Sequence, residues 1–362
     1  MKLPKLFKID IYIIRKFLGT FFYSIALIIS IATVFDISEN LDEFISKDAP
    51  LNAIVFDYYL NFIPYFANLF SALFTFIAVI YFTSKLAYNS EIIAILSSGV
   101  SFHRLIRPYM IGAFIIAVFS YVLGNFIIPP ANKKRVDFRN TYINTNYRGL
   151  EQNIHRQLSP GTYIYMKTYN TSNDVGHKFT IEKFDDGKLV SKLSADYIKW
   201  DRENKKWEIN NYVIRDIDGY KESITTGTKI DTTLNMSPED YRVVKNLVET
   251  LALPRLNKEI RDMQLRGVNS TEYEIEKHKR RAQPFSAFIL TLIGASLASR
   301  KVKGGLGLHL GLGILISFSY IMFMQISTVF ALSGTVPPSI AVWIPNVFFG
   351  ALAGYLYKQA SR

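Results

Sequence analysis

Uncharged stretches alternate with polar segments along this chain, and their lengths predict six membrane-spanning helices. A helix needs about 20 apolar residues to cross a hydrocarbon core of about 30 Å. The predicted spans form two groups of three and cover about 17–38, 56–84, 108–128, 284–300, 305–332 and 339–357. A transmembrane half therefore lies at each end, at 1–128 and 284–362, with a domain at 129–283 between them.

The central segment has the composition of a water-exposed domain, and much of it follows the two-residue period of β-strands. From about Gly161 to Thr233, β-branched and aromatic residues alternate with polar ones, in runs divided by turn signals such as Asp-Asp-Gly at 185–187. Six to eight such strands predict an antiparallel sandwich, jelly roll or open barrel. Helices are predicted over about 237–283, the first beginning at Ser237-Pro238 with a side-chain cap.

The predicted fold class is an α-helical membrane protein with six transmembrane helices in a 3+3 arrangement and an inserted extracytoplasmic antiparallel β (jelly-roll-like) domain. Orientation follows from lysines and arginines, which concentrate in short cytoplasmic loops. One side holds Lys2, Lys5, Lys8, Arg15, Lys16, Lys85, Arg104, Arg107, Arg300, Lys301, Lys303, Lys358 and Arg362. The short loops of the other side offer only Lys47, so both termini are predicted to be cytoplasmic and the domain extracytoplasmic. A cleaved signal peptide competes as an interpretation of span one, but its apolar run is long and no Ala-x-Ala-like site follows.

Composition agrees with this layout, since 49% of the residues are hydrophobic and only 20% are charged. The absence of cysteine excludes disulfides, thiolate metal sites and a cysteine nucleophile. The net charge of +12 needs no nucleic-acid partner, because much of it sets the orientation in the membrane. The remainder concentrates where Lys277, Arg280 and Arg281 approach span four, which suits either lipid phosphates or an anionic substrate.

Catalytic motifs are missing from the sequence. It contains no phosphate-binding Gly-x-x-x-x-Gly-Lys loop, no His-Glu-x-x-His and no Gly-x-Ser-x-Gly. The five histidines are isolated, so no metal site is predicted. Gly307 and Gly311 have the spacing that lets membrane helices approach closely, and we interpret them as packing positions.

The loop after span two predicts a short amphipathic helix over about 89–99. Asn89 or Ser90 is expected to cap it, isoleucines and a leucine form an apolar stripe, and Gly99 ends it. Its one acid is Glu91, which the helix dipole favours in the first turn. From the residues alone, such a helix is more often an interfacial element than a docking site.

With these features together, the chain resembles the LptF/LptG (YjgP/YjgQ) permeases of the bacterial lipopolysaccharide exporter. The resemblance rests on the 3+3 layout with its β-rich insertion, on the loop NSEIIAILSSGVS at 89–101 and on the approach RRAQPFS at 280–286. It covers essentially the whole chain. It implies a non-catalytic permease subunit with no cofactor of its own, because a separate partner binds and hydrolyses ATP.

The resemblance also implies partners and a place in the cell. Members of the family pair with a second LptF/LptG-like permease on an LptB-like ATPase dimer in the bacterial inner membrane. They extract lipopolysaccharide and pass it to an LptC- and LptA-like periplasmic bridge. The extracytoplasmic domain would then be periplasmic.

The family's functional sites fall on matching positions of this sequence. The loop helix would be the coupling helix, seated in a groove of the ATPase, with Glu91, Ser90, Ile92, Ile95 and Gly99 as its matching residues. Spans one and five would line the lipid cavity and its lateral gate, which by position gives Phe22, Ile25, Ile29, Phe318, Tyr320 and Met324.

One departure from the family concerns phosphate recognition. Span one of LptG-type members carries basic residues toward the outer face, whereas this span ends in Asp36, Glu39 and Asp42. Contacts to an anionic lipid would then come from the partner subunit or from the cations Lys47, Lys277, Arg280 and Arg281. Alternatively, the lipid A carries fewer phosphates.

Two other classes stay open from the residues alone. A membrane enzyme acting on a lipid-linked substrate would use the acids at the outer face, Asp36, Glu39, Asp42, Glu43 and Asp57. A scaffold or sensor would use its β domain to bind a partner without transport. The sequence also leaves open whether the subunit is LptF-like, LptG-like or homodimeric, and we favour the LptG type.

Overall fold

The computed structural model describes residues 7–143, 150–170, 173–238, 247–265, 269–299 and 305–361. Contacts divide the chain into a helical unit and a unit built around a sheet. The helical unit joins 1–143, 248–257 and 271–362, while the sheet unit joins 144–247 and 258–270. Residues 129–143 and 271–283, which the sequence places in the central domain, therefore group with the membrane helices.

The N-terminal half is helical, with interruptions that the hydrophobic pattern does not predict. Its helices are α1 (Lys8–Ser46), α2 (Leu51–Ala53), α3 (Leu60–Leu69), α4 (Ser71–Tyr88), α5 (Glu91–Ser97), α6 (Phe102–Val122) and α7 (Ile128–Phe138). Short π-helical turns occupy Ile54–Tyr59, Leu123–Ile127 and Arg139–Ile143. Helix α1 runs without a break, whereas the turn Leu123–Ile127 joins α6 to α7.

The single span expected at 56–84 is divided into α3 and α4 by a turn at Phe70. Pro64 lies inside α3 and cannot donate the hydrogen bond that a helix interior needs. The amide of Asn61 donates to the carbonyls of Phe56 and Asp57 at 2.8 and 3.0 Å, next to the π-helical turn. These hydrogen bonds lie at the π-helical turn Ile54–Tyr59, an irregularity that apolar composition alone does not indicate.

The C-terminal part begins with short helices and ends with three apolar ones. They are α8 (Leu247–Thr250), α9 (Leu253–Leu265), α10 (Thr271–Ala282), α11 (Phe285–Ala298), α12 (Gly305–Leu332), α13 (Pro338–Ala341) and α14 (Ile344–Ala360). The helix start expected at Ser237-Pro238 continues into residues 239–246, which lie outside the described part of the chain. The cations expected at 2, 5, 300, 301, 303 and 362 also lie outside it.

Five described helical stretches are long and apolar enough to cross a membrane. They are Lys8–Ser46, Ser71–Tyr88, Phe102–Ile143, Leu310–Leu332 and Pro338–Ala360. The remaining expected span, span four at 284–300, corresponds to Phe285–Ala298, which is apolar but shorter. At about 1.5 Å per residue, its 14 residues extend only about 21 Å.

Helices α4 and α11 lie at the centre of the helical unit, where glycines allow close packing. A Cβ added at Gly294 of α11 would lie 3.0 Å from Val79, and one at Gly313 of α12 would lie 2.8 Å from Ile80. At Gly307 and Gly311, by contrast, an added Cβ meets no atom of the described residues within 4 Å. Within this chain, the close approach predicted for α12 therefore occurs at Gly313 and not at the two glycines that the spacing indicated.

The sheet has six antiparallel strands in chain order, which confirms the expected antiparallel domain. They are β1 (Leu150–Ser159), β2 (Thr162–Asn170), β3 (Val175–Asp185), β4 (Lys188–Asp201), β5 (Lys206–Asp218) and β6 (Lys221–Thr232). The order is that of a meander, and the described strands show none of the crossovers of a jelly roll's Greek keys. The turn signal at 185–187 joins β3 to β4, with positive φ at Asp186 and Gly187 as a type I′ hairpin requires.

One face of the sheet is apolar, and its rows cross several strands. Ile164, Ile181, Leu193 and Ile214 are successive cross-strand partners on β2 to β5. At the start of β5, Trp207 is fully buried and its indole N–H donates to the carbonyl of Met236 at 2.9 Å.

Candidate functional site

Helix α5 is the short helix expected in the loop after span two, and its start differs from the expected capping. Ser90 stands before the helix with φ of +61° and makes no side-chain cap. Asn89 instead donates to Glu91 Oε1 at 3.2 Å. The hydroxyl of Tyr12 on α1 donates to Glu91 Oε2 at 3.5 Å, so the carboxylate is oriented from two sides. At the other end, Gly99 has φ of +88° and its N–H reaches the carbonyl of Leu96, as expected for a glycine that ends a helix.

The apolar stripe of α5 divides between the protein interior and the surface. Ile92 is 1% exposed and Ile95 is half-buried, and both pack in one cluster with Ile13 and Phe17 of α1. Ile93 and Leu96 are 51% and 37% exposed on the same helix. The exposed Ile93 and Leu96 are available for contact either with the membrane interface or with a partner.

An ion pair next to α5 was missed by the sequence reasoning. Arg104, in the first turn of α6, forms two hydrogen bonds of 2.7 and 2.6 Å to the carboxylate of Asp10 in the first turn of α1. Asp10 is buried and also accepts from the N–H of Phe7 at 2.9 Å. An acid at the third position of a helix was the only signal in the sequence, because its partner lies 94 residues away.

The residues expected at the lipid cavity are divided between buried and exposed positions. Ile25 and Tyr320 are buried, Ile29 and Met324 are half-buried, and Phe22 and Phe318 are 43% and 61% exposed. The hydroxyl of Tyr320 donates to Asn346 at 2.8 Å, which fixes the ring inside the helical unit.

The buried and half-buried members of this set divide between two packed clusters. Ile25 belongs to the cluster around α1, α4 and α6, whereas Tyr320 belongs to a second cluster around α4, α11 and α14. Helices α1 and α12 both pack on α4. Phe22 on α1 and Phe318 on α12 are exposed apolar side chains of the helical unit.

The four cations expected to contact an anionic lipid have different environments. Arg281 is exposed, and Lys47 and Lys277 are half-buried. Arg280 differs from the expectation because it is 5% exposed. Its Nε donates to Glu276 at 2.7 Å, and its two terminal nitrogens donate to the carbonyls of Leu251 and Val248. Its guanidinium is thus committed to partners within the protein, so we correct the expectation that it contacts lipid.

Beside Arg280 lies a small polar cavity of about 70 Å³. Its wall includes Tyr65, Asn68, Glu249 and Glu276. Burial raises the pKa of the Glu249 carboxyl, and the charge of Glu276 raises this pKa further, while nearby cations oppose the shift. Near it, the guanidinium of Arg135 lies 4.5 Å from the centre of the Tyr65 ring, a buried cation that the sequence did not single out. No group of three or more metal-ligating side chains occurs in the described ranges.

A family model described as "Lipopolysaccharide export system permease LptF/LptG" matches residues 11–359. The chain belongs to the LptF/LptG family. Among curated relatives, the lipopolysaccharide export system permease protein LptG of Escherichia coli (strain K12) is 20% identical over 283 residues. That match covers 76% of this chain and 77% of the relative. LptG of Escherichia coli O6:H1 (strain CFT073) gives the same identity and coverage.

Asp36, one of the acids at the end of span one where LptG-type members of the LptF/LptG family carry basic residues, has hydrogen-bond partners within this chain. Asp36 accepts hydrogen bonds from Tyr58 at 3.2 Å and from Tyr59 at 3.0 Å. Both tyrosines belong to the π-helical turn Ile54–Tyr59. Asp36 therefore joins α1 to this turn, and its acidic side chain serves packing in the helical unit.

Proposed function

We propose that this chain is the LptG-type permease subunit of an ATP-driven lipopolysaccharide exporter, with α5 as the helix that docks on the ATPase. The observation that carries the proposal is the family match over residues 11–359, together with the surface of α5. That surface presents Glu91 beside exposed Ile93 and Leu96. Glu91 would face a cation in the ATPase groove, while Ile92 and Ile95 anchor the helix to the spans.

The proposed orientation places both termini and α5 in the cytoplasm and the sheet unit in the periplasm. Lysines and arginines in the loops on the α5 side support it, because such residues are retained on the cytoplasmic side. The subunit would be a multi-pass protein of the bacterial inner membrane. It would pair with a second LptF/LptG-like permease on an LptB-like ATPase dimer, which binds the ATP.

The proposed cargo is lipopolysaccharide, which would enter between this subunit and its partner. Exposed Phe22 on α1 and Phe318 on α12 support an interface of this kind, since each lies on an open apolar surface of a single chain. Buried Ile25 and Tyr320 would hold these helices in place, and half-buried Ile29 and Met324 would flank the exposed rings. Of the four expected cations, Lys47, Lys277 and Arg281 remain candidates for contact with lipid phosphates. Lipid would then pass to an LptC- and LptA-like bridge.

Reconstitution tests this function. Proteoliposomes containing the chain, its partner permease, the ATPase and labelled lipopolysaccharide should release lipid only when ATP is hydrolysed. Glu91→Lys should reduce co-purification of the ATPase about tenfold or more, because it places two cations opposite each other across the interface. Lys85→Gln, which changes an exposed charge in the last turn of α4, just before α5, is the matched control and should co-purify normally.

Two results would contradict the proposal. Unchanged ATPase yield and activity with Glu91→Lys would exclude the docking role of α5. Turnover of a lipid substrate by this chain alone would instead indicate an enzyme.

A further inference from the structure

The pair between Asp10 and Arg104 has the geometry of a fixed joint between α1 and α6. Nη1 of Arg104 donates to Oδ1 of Asp10 at 2.7 Å, and Nη2 donates to Oδ2 at 2.6 Å. Such a bidentate contact restricts rotation as well as distance. The side chain of Asp10 is 3% exposed, so the pair is shielded from solvent more than an ordinary surface ion pair.

Local helix preferences do not explain why an arginine stands at position 104. It occupies the first turn of α6, three residues after the cap Ser101, whose hydroxyl accepts from the Arg104 N–H at 3.3 Å. A positive charge is unfavourable at the N-terminal end of a helix dipole. The distant Asp10 and the ring of Phe7, 5.3 Å from the guanidinium, offset this cost. Residues that contradict local preference usually serve a tertiary or functional role.

Helix α5 contacts the same part of α1. Ile95 shares the wall of a pocket of about 350 Å³ with Asp10, Ile13 and Arg104. Ile92 packs in the same cluster as Ile13. Because of these contacts, a displacement of α5 would push directly on the first turns of α1.

Helix α1 is suited to carry such a displacement across the membrane. Its 39 residues form one helix about 58 Å long, without a proline or a π-helical turn. The neighbouring spans are interrupted, at Phe70 and at Leu123–Ile127. Phe22 and Ile25, the expected gate residues, lie on the unbroken helix.

We propose that the Asp10–Arg104 pair is the joint that transfers movement of α5 to α1 during transport. The inference rests on the proposed docking of α5 to an ATPase. Asp10 and Arg104 act as positioning residues, because they hold α1 in register with α5 and α6. Without the pair, α5 would still dock and ATP would still be hydrolysed, but α1 would no longer follow.

The test uses the full complex in proteoliposomes containing labelled lipopolysaccharide. Asp10→Asn and Arg104→Gln should keep ATPase co-purification and ATP hydrolysis, while lipid released per ATP falls by roughly threefold or more. Arg104→Lys should also lower the lipid released per ATP, because an ammonium keeps the positive charge but cannot make the bidentate contact of a guanidinium. Arg107→Gln removes an exposed cation from the same helix and is the matched control. The double variant Asp10→Arg with Arg104→Asp should recover part of the yield.

A distance measurement separates transfer of movement from simple stability. The chain has no cysteine, so spin labels at Ser38→Cys on α1 and Ser339→Cys on α13 are unique, and both serines are exposed. Their distance should change between nucleotide states in the parent protein and stay constant with Arg104→Gln. Unchanged lipid release per ATP, or an unchanged distance response, would overturn the joint and leave α5 docking intact. Failure of the parent complex to release lipid with ATP would overturn both.

Discussion

At the scale of single residues, Glu249 is a carboxyl group held beside a small polar cavity. Asn132 donates to its Oε2 at 3.3 Å, and Glu276 and Arg280 line the same cavity. Burial, the largest cause, raises the pKa of Glu249 above its ordinary value. The folded chain therefore holds this proton more tightly than the unfolded chain does.

The raised pKa of Glu249 predicts a pH dependence of stability. Because the folded pKa is the higher one, the stabilising contribution is lost as pH rises from the ordinary glutamate pKa through the raised value. Glu249→Gln should remove this dependence and raise the melting temperature at neutral pH by roughly 2–4 °C, the effect of about 1 kcal/mol in a large domain. Thermal unfolding in detergent across pH measures it, with exposed Glu39→Gln as the control. A parallel pH profile in Glu249→Gln and the parent would contradict the assignment.

At the scale of elements, Arg280 connects two segments that are separate in sequence, α10 and the region of α8. It lies in α10, pairs with Glu276 one turn earlier and donates to carbonyls at 248 and 251, at and just after α8. The next contacts continue into the spans, since the amide of Asn346 on α14 donates to the Ala282 carbonyl and Gln283 donates to the Asn68 carbonyl. The approach to span four is thus held by specific polar contacts.

Removing the Arg280 charge should destabilise the helical unit. Arg280→Gln leaves Glu276 without its partner and two buried carbonyls without their donor, and breaking a buried pair costs about 3–5 kcal/mol. Arg281→Gln should leave the melting temperature unchanged, because Arg281 is exposed on the same helix. Differential scanning fluorimetry of both variants makes the comparison. Equal melting temperatures of Arg280→Gln and Arg281→Gln would show that the contacts of Arg280 do not stabilise the helical unit.

At the scale of the whole molecule, one chain contains the helical unit and the sheet unit. On the apolar face of the sheet, Trp207 and its neighbours are buried. Ile181, Leu193 and Ile214 on the same face are only half-buried. An incompletely covered apolar row is suited to shield acyl chains from water. This row is therefore where the proposed exporter would contact its lipid outside the membrane.

Photo-crosslinking tests whether the sheet conducts lipid. Photoreactive residues at Leu193 and Ile214 should capture lipopolysaccharide when ATP is present. The adjacent positions Lys192 and Arg215 point to the opposite face, because side chains alternate along a strand, and they should capture at least about fivefold less. Labelling that is equal on both faces, or independent of ATP, would exclude a conduit.

The sequence by itself determined the features that depend on local pattern. Apolar runs and loop charges predict the two helical halves, and period-two alternation predicts the antiparallel sheet between them. Gly99 was identified as the end of α5 because only a residue that tolerates positive φ suits that position. The resemblance to the LptF/LptG family, drawn from the layout and two short segments, is confirmed by the match over residues 11–359.

Only the tertiary structure decided how polar residues are used. Arg280 looks like a free cation in sequence, and the fold buries it against Glu276 and two carbonyls. Asp10 and Arg104 form a pair across 94 residues, a separation that no local pattern encodes. Span two breaks at Phe70 although its composition is continuously apolar. Hydrophobicity places a segment in the membrane, but hydrogen bonds and ion pairs between distant residues depend on packing, which the order of residues does not display.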